Sequence, residues 1–173
     1  MNEFEFSAIF ELGAGQSSLL IDRMKKALNR KSNVRTVEHD AFWAELIRDR
    51  VDHEIIEAQL RPFVAHGYKL EYYDLKADQI GRDIDFFIVD GPPAHDIGVR
   101  YARLGSFELI TSCLAEDFVV VVDDRERAGE ETLSHMLSAH FRQRGIDHAA
   151  STIKGAKSQA IFASGRFRPS AYF

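Results

Sequence analysis

The chain has 173 residues, 45% of them hydrophobic and 28% charged, with a net charge of −5 and one cysteine. That length and composition predict one globular domain over residues 1–173 that needs no metal or disulfide staple, and the acidic balance argues against a nucleic-acid partner, which asks for a basic face. Cys113 has no internal partner, no apolar run is long enough to cross a membrane, and Asn2-Glu3-Phe4-Glu5-Phe6 is too acidic and interrupted for a secretory leader, so a cytoplasmic protein without a membrane partner is expected.

Ala8 to Leu12 reads as a short strand running into Gly13-Ala14-Gly15, after which Ser17 or Ser18 caps a helix reaching about Asn29. Glycine lets backbone approach a ligand closely, and the first N–H groups of the helix have no intrahelical partner. Strand, glycine turn and helix start mark a nucleotide-type cofactor site in an open α/β sheet, or else a plain turn. Asn33 to Val37 predicts a second strand, β-branched at most positions, which ends in Glu38-His39-Asp40. Glu38 lies roughly twenty residues beyond the glycines, the offset of an acid that reaches a ribose diol. The alternative for Glu38 is a solvated strand-end carboxylate.

From Ala41 to about His66 the spacing of Phe42, Leu46, Val51, Ile55, Ile56, Leu60 and Phe63 predicts a long helix, ended or kinked at Pro62 and closed by Gly67. Trp43 reads as core or as the edge of a ligand site. Tyr68 to Tyr73 predicts a third strand, with Asp74 at its end. Ile84 to Val89 is an almost unbroken apolar run, the pattern of a strand buried on both faces. It ends at Asp90, because the Gly91-Pro92-Pro93 that follows cannot continue a ladder. A helix is expected from about Gly98 to Leu114, then a strand from Phe118 to Val122 that leads into Asp123-Asp124-Arg125, then a helix from about Gly129 to Arg144. Asp147 to Ile153 and Gln159 to Ser164 read as strands joined by a loop too short for a crossover, so they must pair antiparallel.

That antiparallel ending separates the chain from an all-parallel dinucleotide dehydrogenase sheet, as does Ser18 at the place of the third glycine of G-x-G-x-x-G. The chain resembles the class I S-adenosylmethionine-dependent methyltransferases along essentially its whole length. The resemblance is carried by E-L-G-A-G-Q-S (Glu11 to Ser17), V-E-H-D (Val37 to Asp40), V-D-G-P-P (Val89 to Pro93) and V-V-D-D-R (Val121 to Arg125). It implies an α/β fold: a seven-stranded Rossmann-like sheet, mostly parallel, with an antiparallel C-terminal hairpin strand and helices on both faces.

The resemblance also implies a cofactor, S-adenosyl-L-methionine, and a set of residues that hold it. Gly13 and Gly15 would approach its amino-acid portion, with Glu11 near the ammonium directly or through water, and Ser17 is also among the cofactor-binding residues. Glu38 would bind the ribose, His39 would flank the adenine, and Asp74 would lie near the adenine amino group. Asp90 would face the methionine moiety and the transfer site. A sulfonium and an ammonium are both cationic, so carboxylates at one sheet edge complement them.

Two catalytic routes follow. In the small-molecule O-methyltransferases of this fold, acidic and amide side chains hold a divalent metal, and Asp90, Asp123 and Asp124 occupy similar places. Oxygen ligands of that kind suit Mg²⁺ or Ca²⁺. Alternatively, Asp123 caps the next turn and Asp124 pairs with Arg125 or Arg127. The second route is a metal-free general base, for which His95, beyond the proline pair, is the best placed histidine. Arg100-Tyr101 would bind an anionic substrate or dock on Asp124.

The chain departs from the family pattern in three ways. Only about seven residues precede the first strand, the loop before the fifth strand reads Ala115-Glu116-Asp117, and Gly91 separates Asp90 from its prolines. The last of these speaks against an acid-Pro-Pro-aromatic motif and so against a nucleic-acid base as acceptor. The short leading stretch leaves an open site, or a lid supplied by another copy of the chain in a homo-oligomer; Phe167, Tyr172 and Phe173 of the tail would serve such an interface, or the tail frays. The expectation is methyl transfer to a small molecule, at oxygen rather than nitrogen. The rivals are a methyltransferase-like protein that binds the cofactor without turnover and a nicotinamide-dependent oxidoreductase.

Overall fold

The computed structural model describes residues 4–172, so Phe173 lies outside the described residues. In chain order the elements are β1 (Ala8–Leu12), α1 (Gln16–Ala27), β2 (Asn33–Glu38), α2 (Ala41–Arg48), β3 (Glu54–Glu57), β4 (Leu60–Ala65), β5 (Tyr68–Tyr73), α3 (Ala77–Ile80) and β6 (Ile84–Val89). Then come α4 (Ser106–Cys113), β7 (Leu114–Val122), α5 (Ala128–Gln143), β8 (His148–Lys154) and β9 (Ser158–Ser164), with 3₁₀ turns at Ala102–Gly105 and Gly165–Tyr172. Seven strands form one sheet in the order β3-β2-β1-β6-β7-β9-β8, while β4 and β5 make a separate two-stranded hairpin.

All neighbours in the large sheet are parallel except at β9, which runs antiparallel to both β7 and β8. The expected fold class is therefore the one observed. The central strands explain themselves. Phe87 and Val89 of β6 and Val120 and Val122 of β7 are fully buried on one face. On the other face Val119 is buried, with Phe86 and Val121 packed partly buried against its cluster, so the apolar runs meet protein on both sides, as parallel strands require.

Alternation sorts the residues of β1. Phe10 and Leu12 face the main core, shared with Leu104, Leu133 and Phe141 beneath α4, α5 and the hairpin. The opposite face is covered by α1, α2 and the C-terminal 3₁₀ turn, with Ala44 and Ile47 packed near Ala14 and with Phe167 stacked on Phe6. Unusually, the residues of α1 that are buried are polar, Ser18 and Asp22, and its apolar Leu20 and Met24 are exposed.

The long helix expected from Ala41 to His66 does not form. Asp40 caps α2 by accepting from the amide of Trp43 at 2.8 Å, and the helix ends at Arg48. The sheet then gains Glu54–Glu57 as its edge strand, paired with β2. Pro62 sits inside β4 opposite Glu71, which is tolerated because both strands of a lone hairpin are edges and neither needs every N–H. Tyr68–Tyr73 is thus the second strand of that hairpin and not the third strand of the sheet. Ala115-Glu116-Asp117, expected as a loop, belongs to β7, where the pairing with β6 shifts register between Ile84 and Phe86.

Candidate functional site

The strand order reverses between β1 and β6, so their carboxyl ends open a crevice at the point where α/β sheets bind ligands. Gly13 turns the chain out of β1 with φ +92°, in the region that favours glycine. Its amide donates to the carbonyl of Val37 at 2.9 Å, and the amide of Asp90 donates to the carbonyl of Leu12 at 2.9 Å, so the ends of β1, β2 and β6 are tied together. Gly15 is different. Its backbone is extended, with φ −177°, and a Cβ there would meet nothing within 4 Å. Neither conformation nor packing within the chain demands a glycine at that position.

Glu38 is buried and locked to the turn. Its Oε2 accepts from the amide of Ala14 at 3.0 Å, and its Oε1 accepts from the amides of His39 and Asp40 at 2.8 and 2.9 Å. Nδ1 of His39 lies 2.7 Å from the same Oε1. The indole N–H of Trp43 donates to the carbonyl of Ala14 at 2.7 Å, while its ring stays 42% exposed, so this residue clamps the glycine turn from outside the core. Gly13, Glu38, His39, Asp90 and His95 line one cleft of about 280 Å³, together with Tyr73, Arg103, Arg127 and Lys157.

Arg103, which the sequence reading did not single out, organises the other wall. It is 3% exposed. Its Nη2 donates to the carbonyl of Asp90 at 2.9 Å and reaches Asp90 Oδ1 at 3.2 Å, while its Nε donates to the carbonyl of Pro92 at 3.1 Å. Asp124 and Glu130, both buried, approach the same guanidinium at 3.5 and 3.4 Å. The signal in the sequence was indirect: Asp90, Asp124 and Glu130 on neighbouring elements need a buried counter-cation. Burial, reinforced by Asp123 and Asp124 and opposed by Arg103, pushes the Asp90 carboxyl up to about 6.

Other expected residues stand elsewhere. Glu11 is fully buried beneath α1 and is not among the residues lining the cleft. It accepts from Ser18 Oγ at 2.6 Å and Thr36 Oγ1 at 2.8 Å, and Thr36 in turn touches His53 at 3.2 Å. Burial raises its pKa against the bonds from Ser17, Ser18 and Thr36. Ser18 Oγ also accepts from the amide of Gly15 at 3.0 Å. The serine at the third-glycine position thus steadies the turn on a buried acid. Ser17 is half-buried and is not among the residues lining the cleft. Asp74 follows the hairpin and not the sheet, lies 3.7 Å from Arg61 on the surface, and is also outside the cleft lining. His95 is at the cleft mouth, 65% exposed and 3.5 Å from Asp96. Arg100 stacks over Tyr101 and does not reach Asp124.

The metal expectation is corrected by the cations around it. Oxygens of Asp90, Asp123 and Asp124 do lie within 4.8 Å of one another. Yet Asp124 is 2.8 Å from Arg127 Nη1 and 2.9 Å from Lys157 Nζ, besides Arg103. Asp123 Oδ1 accepts from Gln159 Nε2 at 2.8 Å. The acids are already ion-paired or hydrogen-bonded to neighbouring side chains, and a Mg²⁺ or Ca²⁺ would sit against the positive charges of Arg103, Arg127 and Lys157. The residues present do not fit a divalent metal. The alternative pairing of Asp124 with Arg127 is the one found.

No protein-family profile and no curated protein sequence matches the chain. Solved structures do match in fold. A methyltransferase from Pyrococcus furiosus is 17% identical over 95% of this chain and 78% of its own, with a TM-score of 0.54. The plantazolicin methyltransferase BpumL, in complex with S-adenosylhomocysteine, is 10% identical over 93% and 77%, with a TM-score of 0.57. The S-adenosylhomocysteine-bound Podospora anserina methyltransferase PaMTH1 is 13% identical over 92% and 72%, also with a TM-score of 0.57. The chain shares its α/β fold, a seven-stranded mostly parallel sheet with an antiparallel C-terminal pair, with these solved methyltransferase structures.

Proposed function

We propose that the chain binds S-adenosyl-L-methionine in the cleft at the ends of β1, β2 and β6 and transfers its methyl group to a small-molecule acceptor, at oxygen and without a metal. One observation carries this reading: the glycine turn after β1 is bonded directly to the acid that ends β2, through the amide of Ala14 and Glu38. Two structures of the same fold hold S-adenosylhomocysteine, and open space at Gly15 suits backbone contact with such a ligand.

Bound there, the cofactor supplies an electrophilic methyl group on a sulfonium, which leaves as a neutral thioether. The residues of the chain do the rest. Gly13 and Gly15 let the amino-acid portion lie against backbone, Glu38 receives the ribose hydroxyls, and His39 borders the base. Asp90, titrating at about 6 in the same cleft, accepts the proton of the acceptor hydroxyl near neutral pH. His95 borders the acceptor at the mouth. Alignment of the nucleophile with the methyl group is the main contribution expected of the site. The net charge of −5 supports a small acceptor over a polyanion.

Calorimetric titration of S-adenosylmethionine and S-adenosylhomocysteine tests the cofactor, and methyl transfer from labelled cofactor across hydroxylated acceptors, with and without chelator, tests the reaction. Well-folded protein that binds neither compound overturns the proposal. Binding without transfer to any acceptor leaves a cofactor-binding protein without turnover.

A further inference from the structure

Tyr72 and Tyr73 are adjacent in β5 and meet opposite fates. The phenol of Tyr72 donates to Ser106 Oγ at 3.0 Å and is spent within the fold. Tyr73 is 6% exposed, and its Oη has no hydrogen-bond partner among the described residues. Nor is it lost in the core, for Tyr73 lines the cleft.

Its place is built by two glycines. A Cβ on Gly91 would lie 2.1 Å from Tyr73 Oη and 2.9 Å from the Cα of Gly13. The hydroxyl therefore occupies the spot where the turns after β1 and β6 meet, and only a glycine at position 91 admits it. A buried hydroxyl without a partner is destabilising, and phenylalanine would fill the same space without that cost. An unbonded hydroxyl that the fold makes room for, on a residue lining the cleft, is the feature a bound molecule would complete.

We propose that Tyr73 is a cofactor-binding residue whose phenol O–H donates to an oxygen acceptor of the bound molecule. The inference rests on the S-adenosylmethionine reading of the cleft. The phenol acts as donor because it stays protonated: burial, with Glu38 adding to it, holds its pKa well above the usual tyrosine value. A hydroxyl fixed between the turns faces either a ribosyl oxygen or the carboxylate of the amino-acid portion, and both are acceptors.

The test titrates S-adenosylhomocysteine and adenosine into the wild-type protein, Tyr73→Phe and Tyr72→Phe, with thermal unfolding of each. The expected result for Tyr73→Phe is an affinity for S-adenosylhomocysteine about tenfold weaker, with a Tm equal to or above wild type. Tyr72→Phe should lower the Tm and leave affinity unchanged. An equal loss with adenosine assigns the contact to the ribose, and no loss assigns it to the carboxylate. Unchanged affinity in Tyr73→Phe, or a lowered Tm, overturns the proposal while the cofactor reading stands. A wild-type protein that binds no S-adenosylhomocysteine overturns both.

Discussion

A Cβ built on Gly13 would stand 2.8 Å from the carbonyl oxygen of Asp90. The turn that ends β1 and the strand end that carries the proposed base are therefore in contact backbone to backbone. Gly13→Ala combines this clash with a positive φ, which costs a non-glycine residue about 1–2 kcal/mol by itself. A lower Tm and loss of S-adenosylhomocysteine binding together are expected, and calorimetry beside thermal unfolding reads both.

Gly15→Ala should separate those two effects. Its extended backbone suits any residue and its Cβ meets no neighbour, so stability should hold within about 0.5 kcal/mol of wild type. Binding should fall at least tenfold if the ligand lies against that backbone. Unchanged affinity in a calorimetric titration would move the cofactor away from the turn.

Glu38→Gln keeps the shape and removes the charge. Hydrogen bonds to charged groups are worth about 1.5–3 kcal/mol, so S-adenosylhomocysteine affinity should fall roughly 10- to 100-fold. The amides of Ala14, His39 and Asp40 lose their ionised acceptor at the same time, and the Tm should drop. Glu38→Gln at wild-type affinity would exclude the ribose role.

The carboxyl of Asp90 titrates at about 6, raised from 3.8 chiefly by burial. As a base it works when ionised, so transfer should rise with pH through about 6 and level off above it. Stability runs the other way. The folded state holds the proton more tightly than the unfolded chain, so this contribution is complete below about 4 and is lost as pH climbs through 6. Asp90→Asn should therefore gain Tm over wild type at pH 8, with the advantage fading near pH 4. Unfolding scans across that range, together with a pH–rate profile, decide the point.

Metal removal should change nothing. With Arg103, Arg127 and Lys157 around Asp124, chelator is expected to leave turnover intact. Asp124→Ala is expected to cost about 3 kcal/mol by removing the buried acid shared by Arg103, Arg127 and Lys157, as measured by urea unfolding. Turnover abolished by chelator and restored by Mg²⁺ would reverse the metal-free assignment.

The sequence made the sheet legible wherever both faces were covered. The runs at β6 and β7 and the short loop between β8 and β9 forced buried parallel strands and an antiparallel finish. It misled where one element borrowed the period of another. Val51, Ile55, Ile56 and Leu60 fit a helical spacing, but they divide among a loop, a four-residue edge strand and a hairpin. No turn signal separates them, and Pro62 read as a helix stop is in fact an edge-strand residue. That error carried Asp74 into the expected site and hid Tyr73, which only the hairpin brings there. Arg103 escaped for a different reason: nothing local marks an arginine as buried until the three acids converging on it are placed in space.

Trp43 is the only tryptophan in the chain, and its indole N–H is fastened to the carbonyl of Ala14 while the ring remains partly open to solvent. The protein thus carries its own optical reporter, mounted on the glycine turn. Its emission maximum and quenching should follow occupancy of the turn in real time, without a label. Stopped-flow fluorescence on the unmodified chain then yields association and dissociation rates directly, and every variant above can be ranked by residence time.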